Sequence, residues 1–353
     1  MSKYNNPFSV DNRKPVPIDS NDPRAKNLEQ YRSRLGRDIL IEILPESMKL
    51  KKYVAPIVES GLFVTVAYNS STVATSSDSV TWTERILPSI ANWSDVTYGN
   101  GLFVTIASGS NKAATSSDGI TWTERTLPSV ANWSSIVYGN GIFVAISGGS
   151  ISGSNIAATS TDGITWTQRT LPSIANWSRI TYGNGLFVIL ASPLNGVNSN
   201  KVATSTNGIT WTASTMPSSR QWIDISYGNG VFVAIVFDNI GSGSNVAATS
   251  PDGITWTART MPSIQFWYSI AYGNGVFSAI SYNNTAAATS PDGVTWTSRS
   301  MPSVASWYAV TYANGLFVAI STYSNKAASS PDGITWTQRT LPSSTSWFSI
   351  AGR

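Results

Sequence analysis

The sequence contains neither cysteine nor histidine. Without cysteine there is no disulfide, thiolate metal site or cysteine nucleophile, and without histidine the commonest general acid–base group is missing. Charged residues make up 12% of the chain, and no apolar run approaches the length that spans a bilayer. The first residues also lack the apolar segment of a signal peptide. We therefore expect a protein made in a cytoplasm, with no membrane insertion, no metal and no other cofactor.

The few charges are unevenly distributed. Residues 1–52 contain 11 Lys or Arg and 7 Asp or Glu, a net charge of +4, whereas residues 53–353 contain 12 of each sign. This larger part is neutral and rich in Ser, Thr, Asn and Gly. Because a nucleic-acid-binding surface needs clustered Lys and Arg, we expect no nucleic-acid partner.

Fourteen tryptophans form a regular grid in the neutral part. Seven lie in Thr-Trp-Thr triplets at intervals of 40, 44, 45, 45, 40 and 40 residues, and a second tryptophan follows each of them eleven residues later. Such a period is typical of a repeat architecture with one supersecondary unit per copy. The first set is Trp82, Trp122, Trp166, Trp211, Trp256, Trp296 and Trp336. The second set is Trp93, Trp133, Trp177, Trp222, Trp267, Trp307 and Trp347.

The copy that spans residues 133–172 shows what one repeat contains. Residues 133–138 alternate as a strand does, and the Gly-Asn-Gly that follows is a strong hairpin signal. The apolar run 142–146 is typical of a strand buried on both faces. Two further strands, 156–160 and the half-exposed 164–169, are joined by an Asp-Gly turn. Four antiparallel strands in each of seven copies predict an all-β, seven-bladed β-propeller.

The ends of the repeat region predict how the ring closes. The last copy stops at residue 353, just after its first strand, and the first copy begins at residue 61 without the second-set tryptophan. We expect the C-terminal inner strand to join the first blade, which leaves no open sheet edge at the junction. Residues 53–58 could compete for that place, but Pro56 would remove a ladder donor.

Residues 1–52 are interpreted as an N-terminal arm, and residues 53–353 as the propeller. The arm is predicted to contain an extended tail, a short helix at about 23–35 and a short strand at about 38–44. A basic arm on a neutral disc favours an anchor to a larger assembly. The alternative is an arm that packs across its own propeller.

A Ser-x-Asp-Gly-x-Thr-Trp turn precedes most first-set tryptophans. It resembles the Asp-box, or BNR, repeat of sialidase-type propellers, shortened by one residue between Asp and Gly. The resemblance covers residues 61–351, and such repeats occur in enzymes, lectin-like proteins, assembly factors and virus structural proteins. We expect the Asp or Asn side chain to cap its own turn. These positions are Asp78, Asp118, Asp162, Asn207, Asp252, Asp292 and Asp332.

The catalytic set of a sialidase is missing. Such an enzyme needs several arginines at the central cavity, together with a Tyr–Glu pair and an acid. Here the recurring arginines follow the first-set tryptophans by three residues, so we expect them at the blade edge, paired with carboxylates or covering apolar surface. No Glu lies on an inner strand, and the inner-strand acids are Asp95 and Asp224. We therefore expect no enzymatic activity, and a two-carboxylate glycosidase is poorly supported.

Departures from the repeat mark the candidate binding site. The loops 147–155, 192–200 and 237–245 are longer than in the other copies and share one face, where they are either a binding surface or tolerated insertions. Nearby charges stand where other copies carry Ser or Ala, either to contact a ligand or to form an ion pair between blades. The second-set tryptophans either stack sugars or pack between blades. The candidate residues are Arg179, Arg220, Gln221, Asp224, Asp238 and Asn239.

The repeats and the arm together resemble bacteriophage virion proteins such as tail-fibre, baseplate or capsid-decoration components. This resemblance implies a non-enzymatic protein of the virion within a homo- or hetero-oligomeric assembly. The arm would bind other virion proteins, and the propeller would contact a host-surface glycan or neighbouring virion proteins by avidity. The alternatives are a multivalent glycan-binding lectin with one site per blade interface and, less favoured, a glycoside-active enzyme.

Overall fold

The computed structural model describes residues 61–149, 151–238 and 243–353, together with the backbone of two short strands near the N-terminus. The chain divides into two units, Met1–Ser60 and Gly61–Arg353. Within the described residues, no helix has the length and apolar character needed to cross a membrane.

The first unit contains one described pair of strands. Leu40–Ile41 (β1) pairs antiparallel with Lys52–Tyr53 (β2). The strand predicted at about 38–44 is therefore present at its centre, and Tyr53 pairs within the first unit instead of starting a competing inner strand. The predicted helix at about 23–35 lies outside the described residues, as does most of the arm.

The second unit is all-β, and every pairing among its described strands is antiparallel. Strands β3 to β13 are Phe63–Ala67, Ser70–Ser76, Thr83–Gly99, Leu102–Ser116, Thr123–Gly139, Ile142–Ser147, Ser154–Ser160, Thr167–Gly183, Leu186–Ser192, Ser199–Ser205 and Thr212–Arg220. Strands β14 to β24 are Trp222–Gly228, Val231–Val236, Ser244–Ser250, Thr257–Gln265, Trp267–Gly273, Val276–Ser290, Thr297–Ala313, Leu316–Ser321, Ser324–Ser330, Thr337–Thr345 and Trp347–Gly352. They form sheets of 12, 4 and 6 strands.

Several strands run from one repeat into the next. In β10, Thr170 still pairs with Ile156 of β9, whereas Asn176 already pairs with Ser192 of β11. The Leu-Pro-Ser segment between these positions lies inside the 17-residue strand and does not form a separate linker. Proline is tolerated there because the register shifts and the strand changes partner at this point.

The C-terminal strand closes the ring, as predicted. Strand β24 pairs antiparallel with β3, with Ile350 opposite Thr65, and the Thr65 hydroxyl donates a hydrogen bond to the Ser349 carbonyl at 2.9 Å. The innermost strands contact one another in the cyclic order β24, β5, β7, β10, β14, β18, β20 and again β24. A closed ring of antiparallel sheets is the arrangement of a β-propeller.

The second-set tryptophans form the core between neighbouring sheets. Each is at most 1% exposed, and each indole N–H donates to the carbonyl of a serine four residues earlier, as Trp177 does to Ser173 at 3.0 Å. The alternative in which these rings stack sugars is wrong, because a fully buried ring presents no face to a ligand. Their function is packing, and the recurring phenylalanines of the next strand are buried with them.

The first-set tryptophans close the Asp turns. The Asp162 carboxylate accepts hydrogen bonds from the Ser160 hydroxyl and from the backbone N–H groups of Ile164 and Thr165, each at 2.8 Å. The Trp166 indole N–H donates to the carbonyl of Gly163 at 3.2 Å. Trp166 therefore precedes β10, which begins at Thr167, and the predicted strand 164–169 starts too early.

The Asp turn has the same geometry in all seven repeats. Asn207 replaces the carboxylate without loss, because its amide oxygen accepts the same three hydrogen bonds. Backbone N–H donors lower the pKa of Asp78 and of Asp162 to about 2. For Asp162, the N–H of Thr165 has the larger effect and the N–H of Ile164 the smaller one. The turn side chains are Asp78, Asp118, Asp162, Asn207, Asp252, Asp292 and Asp332.

Five of the recurring arginines bind hydroxyl groups, whereas Arg85 Nε has no hydrogen-bond partner among the described residues. Arg169 Nε donates to the Thr159 hydroxyl of the adjacent strand at 3.0 Å. We expected these arginines either to pair with carboxylates or to cover apolar surface. The hydrogen-bond partner of Arg169 is a hydroxyl and not a carboxylate. The same bond recurs in Arg125, Arg259, Arg299 and Arg339.

The Asn-Gly hairpins end the inner strands at the opposite face from the long loops. Asn140 and Gly141 have φ angles of 48° and 78°, as the predicted tight turn requires. In five repeats the residue before this turn is a glycine that lies against a tyrosine of the next repeat: a Cβ on Gly183 would come within 2.0 Å of Tyr227 Cγ. The same contact recurs at Gly99, Gly139, Gly228 and Gly273.

Candidate ligand-binding site

An axial cavity of about 820 Å³ opens at the end of the ring where the inner strands begin. Residues from all seven repeats line it, so it lies on the axis of the ring. Two of the three lengthened loops contribute to it, through Gly149 in loop 147–155 and Pro193 in loop 192–200. The third loop, 237–245, is only partly described.

Seven side chains, each two positions after a second-set tryptophan, meet around the axis below this cavity. They are Asp95, Ser135, Arg179, Asp224, Ser269, Ala309 and Ser349. In a perfect repeat these positions would be alike. Their differences create a set of bonds between neighbouring inner strands.

Asp95 joins three inner strands. Its carboxylate accepts hydrogen bonds from the Ser349 hydroxyl at 2.6 Å and from the Ser135 hydroxyl at 2.7 Å. The backbone N–H groups of Val96 and Ile136 donate to the same carboxylate at 3.0 and 2.9 Å. These four donors come from three neighbouring inner strands, so Asp95 holds these strands together.

Asp224 binds the inner strands on both sides of its own. It accepts hydrogen bonds from the Ser269 hydroxyl at 2.8 Å and from the N–H groups of Ile225 and Ile270 at 2.9 Å. On the other side, Arg179 Nε lies 3.6 Å from Asp224 Oδ1. The two charges predicted to cluster therefore form an ion pair between neighbouring repeats.

Burial shifts the pKa values of both partners. Burial raises the pKa of Asp224, and Arg179 together with the three hydrogen bonds opposes that rise. Burial alone would lower the pKa of Arg179, but Asp224 and Asp95 outweigh it and raise the pKa above its ordinary value. Arg179 therefore stays charged.

Arg179 is the only charged residue among the described side chains that line the axial cavity. Its side chain is 20% exposed. Within residues 61–149, 151–238 and 243–353, its guanidinium makes the ion pair with Asp224 but no hydrogen bond. A guanidinium carries five N–H donors, so this group keeps donors for a molecule in the cavity.

The wall of the cavity has two different halves. The residue directly after each second-set tryptophan faces the cavity, and its type changes around the ring. It is Ser94, Ser134 and Ser178 in three consecutive repeats, then Ile223, and then Tyr268, Tyr308 and Phe348. We call the serines, with the neighbouring Asn132, Asn176 and Gln221, the polar arc, and Tyr268, Tyr308, Phe348 and Tyr68 the aromatic arc.

The aromatic arc is continuous. Ring centroids are 4.5 Å apart between Tyr268 and Tyr308, 4.5 Å between Tyr308 and Phe348, and 4.9 Å between Phe348 and Tyr68. Successive planes are tilted by 38°, 42° and 30°, so the arc curves around the axis. Each ring is half-buried. Phe237 extends the arc outward, 5.2 Å from Tyr268.

Tyr268 and Tyr308 of the aromatic arc stay neutral. Burial raises the pKa of Tyr268 and, to a greater extent, that of Tyr308. The two hydroxyls also interact with each other through a hydrogen bond, which lowers the pKa of Tyr268 and raises that of Tyr308. Tyr268 and Tyr308 thus offer neutral hydroxyls to the cavity at neutral pH.

The polar arc offers side-chain amides. Asn176 is bound within the fold, because its side-chain oxygen accepts from the Gly149 N–H and its NH₂ group donates to the Pro193 carbonyl, both at 2.8 Å. Among the described residues, the side-chain amides of Asn132 and Gln221 make no hydrogen bond, and both groups line the cavity. These two amides can each donate and accept.

The other predicted site residues are less central. Arg220 is exposed at the end of β13 and pairs with Ser199, away from the cavity lining. Asp238 is half-buried just after β15. Asn239 lies outside the described residues. The sequence-based prediction missed the aromatic arc, although its signal was present in the change from serine to aromatic residues directly after the second-set tryptophans.

No metal site is apparent in the residues that the structure describes, since no three Asp or Glu side chains cluster there. The axial residues hold two carboxylates, but each is already satisfied by protein donors. The cavity is therefore suited to binding a polar organic molecule through hydrogen bonds and ring contacts.

Solved structures with very different sequences share the fold. A catalytically inactive virginiamycin B lyase from Staphylococcus aureus with quinupristin has a TM-score of 0.61 at 14% identity, covering 79% of this chain and 89% of the lyase. YCF48 bound to a D1 peptide has a TM-score of 0.53 at 18% identity, with coverage of 71% and 82%. The computationally designed Ika8 protein has a TM-score of 0.55 at 8% identity, with coverage of 82% and 90%.

These proteins are β-propeller-like, and the likeness shows the fold alone. No protein-family model and no curated sequence matches the chain.

Proposed function

We propose that the chain is a seven-bladed β-propeller that acts as a non-enzymatic binding protein, with the axial cavity as its single ligand-binding site. The observation that carries the proposal is the division of the cavity wall into a polar arc and an aromatic arc. A repeat scaffold needs no such difference, because the Asp turns and the second-set tryptophans already build every repeat. Departures confined to one face of a repeat protein are typical of its binding face.

The strand registers support seven blades of four strands. The 12-stranded sheet divides into four blades of four strands each. The long strands β5, β7 and β10 each contribute to two neighbouring blades, and the long strand β6 supplies two strands of one blade. The 4-stranded sheet holds one set. The 6-stranded sheet holds two, with β20 shared and β19 supplying two strands. Each tryptophan pair then corresponds to one blade.

The chemistry of the axis supports binding without catalysis. General acid–base catalysis needs a carboxyl group that can exchange a proton with the ligand, but Asp95 and Asp224 are occupied by hydrogen bonds from neighbouring strands. The inactive lyase in the comparison carries a histidine-to-alanine substitution. This chain contains no histidine, so the shared fold does not bring that residue with it.

The asymmetry of the cavity supports one site per chain. A lectin with one site at each blade interface would need seven similar groups of side chains. The aromatic arc occupies only three of the seven repeats. A titration in which more than one equivalent of ligand binds per chain would favour the repeated-site alternative.

We also propose that residues 1–52 anchor the propeller to other proteins of a phage virion. The net charge of +4 on this segment, beside a neutral propeller, supports an anchoring function. Deletion of residues 1–52 should prevent incorporation into particles while the thermal unfolding of the propeller stays unchanged. Particles that retain the truncated chain would contradict this part of the proposal.

Binding at the axial cavity is tested with the full chain and a panel of oligosaccharides, peptides and nucleotides, measured by thermal shift and calorimetry. We expect at least one compound to bind, and Tyr308→Ala to weaken it. Tyr182→Ala is the matched control, because it removes a tyrosine at the opposite end of an inner strand. Bound compounds should be recovered unchanged by mass spectrometry. Turnover, or binding insensitive to Tyr308→Ala, would contradict the proposal.

A further inference from the structure

We infer that the axial cavity binds a neutral saccharide, whose C–H groups lie against the ring edges of the aromatic arc and whose hydroxyls lie toward the polar arc. This inference rests on the proposed binding function and adds the chemical class of the ligand. Four features of the cavity carry it: the curvature of the aromatic arc, the type of polar group opposite, the charge at its floor and its volume.

The curvature of the aromatic arc favours a puckered ligand. Tyr268, Tyr308 and Phe348 follow one another with ring centroids 4.5 Å apart and planes tilted by 38° and 42°, so neighbouring rings cover each other's faces and present their edges to the cavity. A planar aromatic ligand therefore finds no open ring face on which to stack. The C–H groups and hydroxyls of a puckered sugar can instead contact the ring edges and the tyrosine hydroxyls along the curved arc.

The polar arc matches hydroxyl groups. The side-chain amides of Asn132 and Gln221 line the cavity opposite the aromatic arc, and each carries both a donor and an acceptor. A sugar hydroxyl also donates and accepts, so one amide can bind two adjacent hydroxyls. An apolar ligand would leave these amides without partners, which is unfavourable once water is displaced.

The charge at the floor favours a neutral saccharide over an acidic one. Arg179 supplies N–H donors to the cavity, but Asp224 lies 3.6 Å from its Nε and Asp95 also acts on it electrostatically. The axis thus holds two carboxyl groups, Asp95 and Asp224, against one guanidinium, and Tyr268 and Tyr308 add no charge. Arg179 can donate hydrogen bonds to hydroxyl or ring oxygens, whereas an added anion would meet no net positive charge.

The volume sets the size of the ligand. A cavity of about 820 Å³ is in the range of sites that enclose a drug-sized molecule. It therefore fits a short oligosaccharide or the end of a longer glycan chain. A glycan terminus that enters the axis leaves the rest of its chain outside, on the face of the lengthened loops.

The experiment uses the full chain with maltotriose, chitotriose and mannotriose as neutral probes, trigalacturonate as the acidic probe, and a mixture of unrelated tripeptides. Calorimetry should detect one neutral trisaccharide, with an affinity that changes less than about twofold between low and high salt. Tyr308→Ala should weaken it by about tenfold or more, and Asn132→Ala by about threefold to tenfold. Tyr182→Ala should leave it within about twofold of the parent chain.

The outcomes separate this inference from the proposed function. Binding of trigalacturonate or of the peptides alone, if sensitive to Tyr308→Ala, would overturn the saccharide inference and leave the binding function standing. A neutral trisaccharide whose affinity is unaffected by both Tyr308→Ala and Asn132→Ala would overturn the placement in the cavity. Absence of binding by every probe at millimolar concentration would count against both. Thermal unfolding of each variant verifies that the ring is folded; if Tyr308→Ala unfolds, the exposed Asn132 variant decides.

Discussion

The two ends of the inner strands differ in how closely they follow the repeat. At the hairpin end, five glycines each lie against a tyrosine of the next repeat, and the contact is nearly the same each time. At the cavity end, the two residues after the buried tryptophan change from repeat to repeat, through serine, arginine, aspartate and aromatic residues. One end keeps neighbouring sheets in register, and the other end gives the axis its chemistry.

The exceptions at each end show the difference most clearly. Ala313 replaces the hairpin-end glycine in one repeat, and the facing residue there is Gly352 where the other repeats carry tyrosine. The glycine becomes a larger alanine where the tyrosine becomes a smaller glycine, so the Ala313 methyl fills part of the space that a tyrosine fills in the other repeats. At the cavity end, the changes pair only in part: Asp224 pairs with Arg179, but the remaining guanidinium donors and the edges of the aromatic rings stay open to the cavity.

The largest effect is expected at the cavity end, from Asp224→Ala. This change leaves the buried guanidinium of Arg179 without its partner and removes the acceptor of the Ser269 hydroxyl and of two backbone N–H groups. We expect a loss of about 3–5 kcal/mol in the free energy of unfolding, measured by denaturant titration. Asp224→Asn, which keeps one oxygen acceptor, should cost clearly less. Equal losses in the two variants would mean that the oxygen is not the important group.

At the hairpin end, Gly183→Ala should come next. The added methyl would lie 2.0 Å from Tyr227 Cγ, so the two neighbouring strands must separate or the tyrosine must leave its place. We expect a loss of about 1–3 kcal/mol.

The matched control for this clash is Ala313→Gly, at the one place where the tyrosine is missing. It changes the same backbone position without relieving or creating a clash, so it should cost at most about 1 kcal/mol, mainly through chain entropy. If both variants lose the same stability, the tyrosine contact does not explain the glycines.

The sequence predicted the regular parts of the molecule because they recur. The tryptophan grid indicated the repeat, the Asn-Gly pairs indicated the hairpins, and the missing first strand of the first repeat indicated closure by the C-terminal strand. The ion pair of Arg179 with Asp224 was visible as charge at positions where other repeats carry small residues. The start of the outer strand was misjudged, because Trp166 looks like a strand residue but closes the turn through its indole N–H.

The aromatic arc could not be assembled from the sequence alone. Tyr68 and Phe348 are 280 residues apart, and their rings meet only because β24 pairs with β3. Along one strand, Tyr308 is merely the residue after a buried tryptophan. Its position beside Tyr268 depends on how neighbouring sheets pack, which periodicity predicts only in general terms.

A smaller gain in stability is expected from making one repeat more regular. Ser79 stands where the other Asp turns have glycine, with a φ of 62° and a buried hydroxyl that has no hydrogen-bond partner among the described residues. Ser79→Gly removes both the strained backbone conformation and the unsatisfied hydroxyl. We expect a gain of about 1 kcal/mol in the free energy of unfolding. The same substitution at Ser77, outside the strained position, should not stabilise, and a loss at Ser79 would contradict this account of the turn.

The smallest effect concerns the pH dependence of a single Asp turn. The pKa of Asp162 is about 2 in the folded protein, below its ordinary value of 3.8, because the N–H groups of Thr165 and Ile164 bind the carboxylate. An acid with a lowered pKa contributes stability above pH 3.8 and loses it as the pH falls toward 2. Asp162→Asn should keep the turn, as Asn207 does, but lose this contribution. The melting temperature of the variant should therefore lie about 1 °C below that of the parent at pH 6, with the gap closing by pH 2. Asp224, whose raised pKa has the opposite sign, is present in both proteins and cancels in the difference. A gap that stays constant from pH 6 to pH 2 would show that the carboxylate charge does not stabilise the turn.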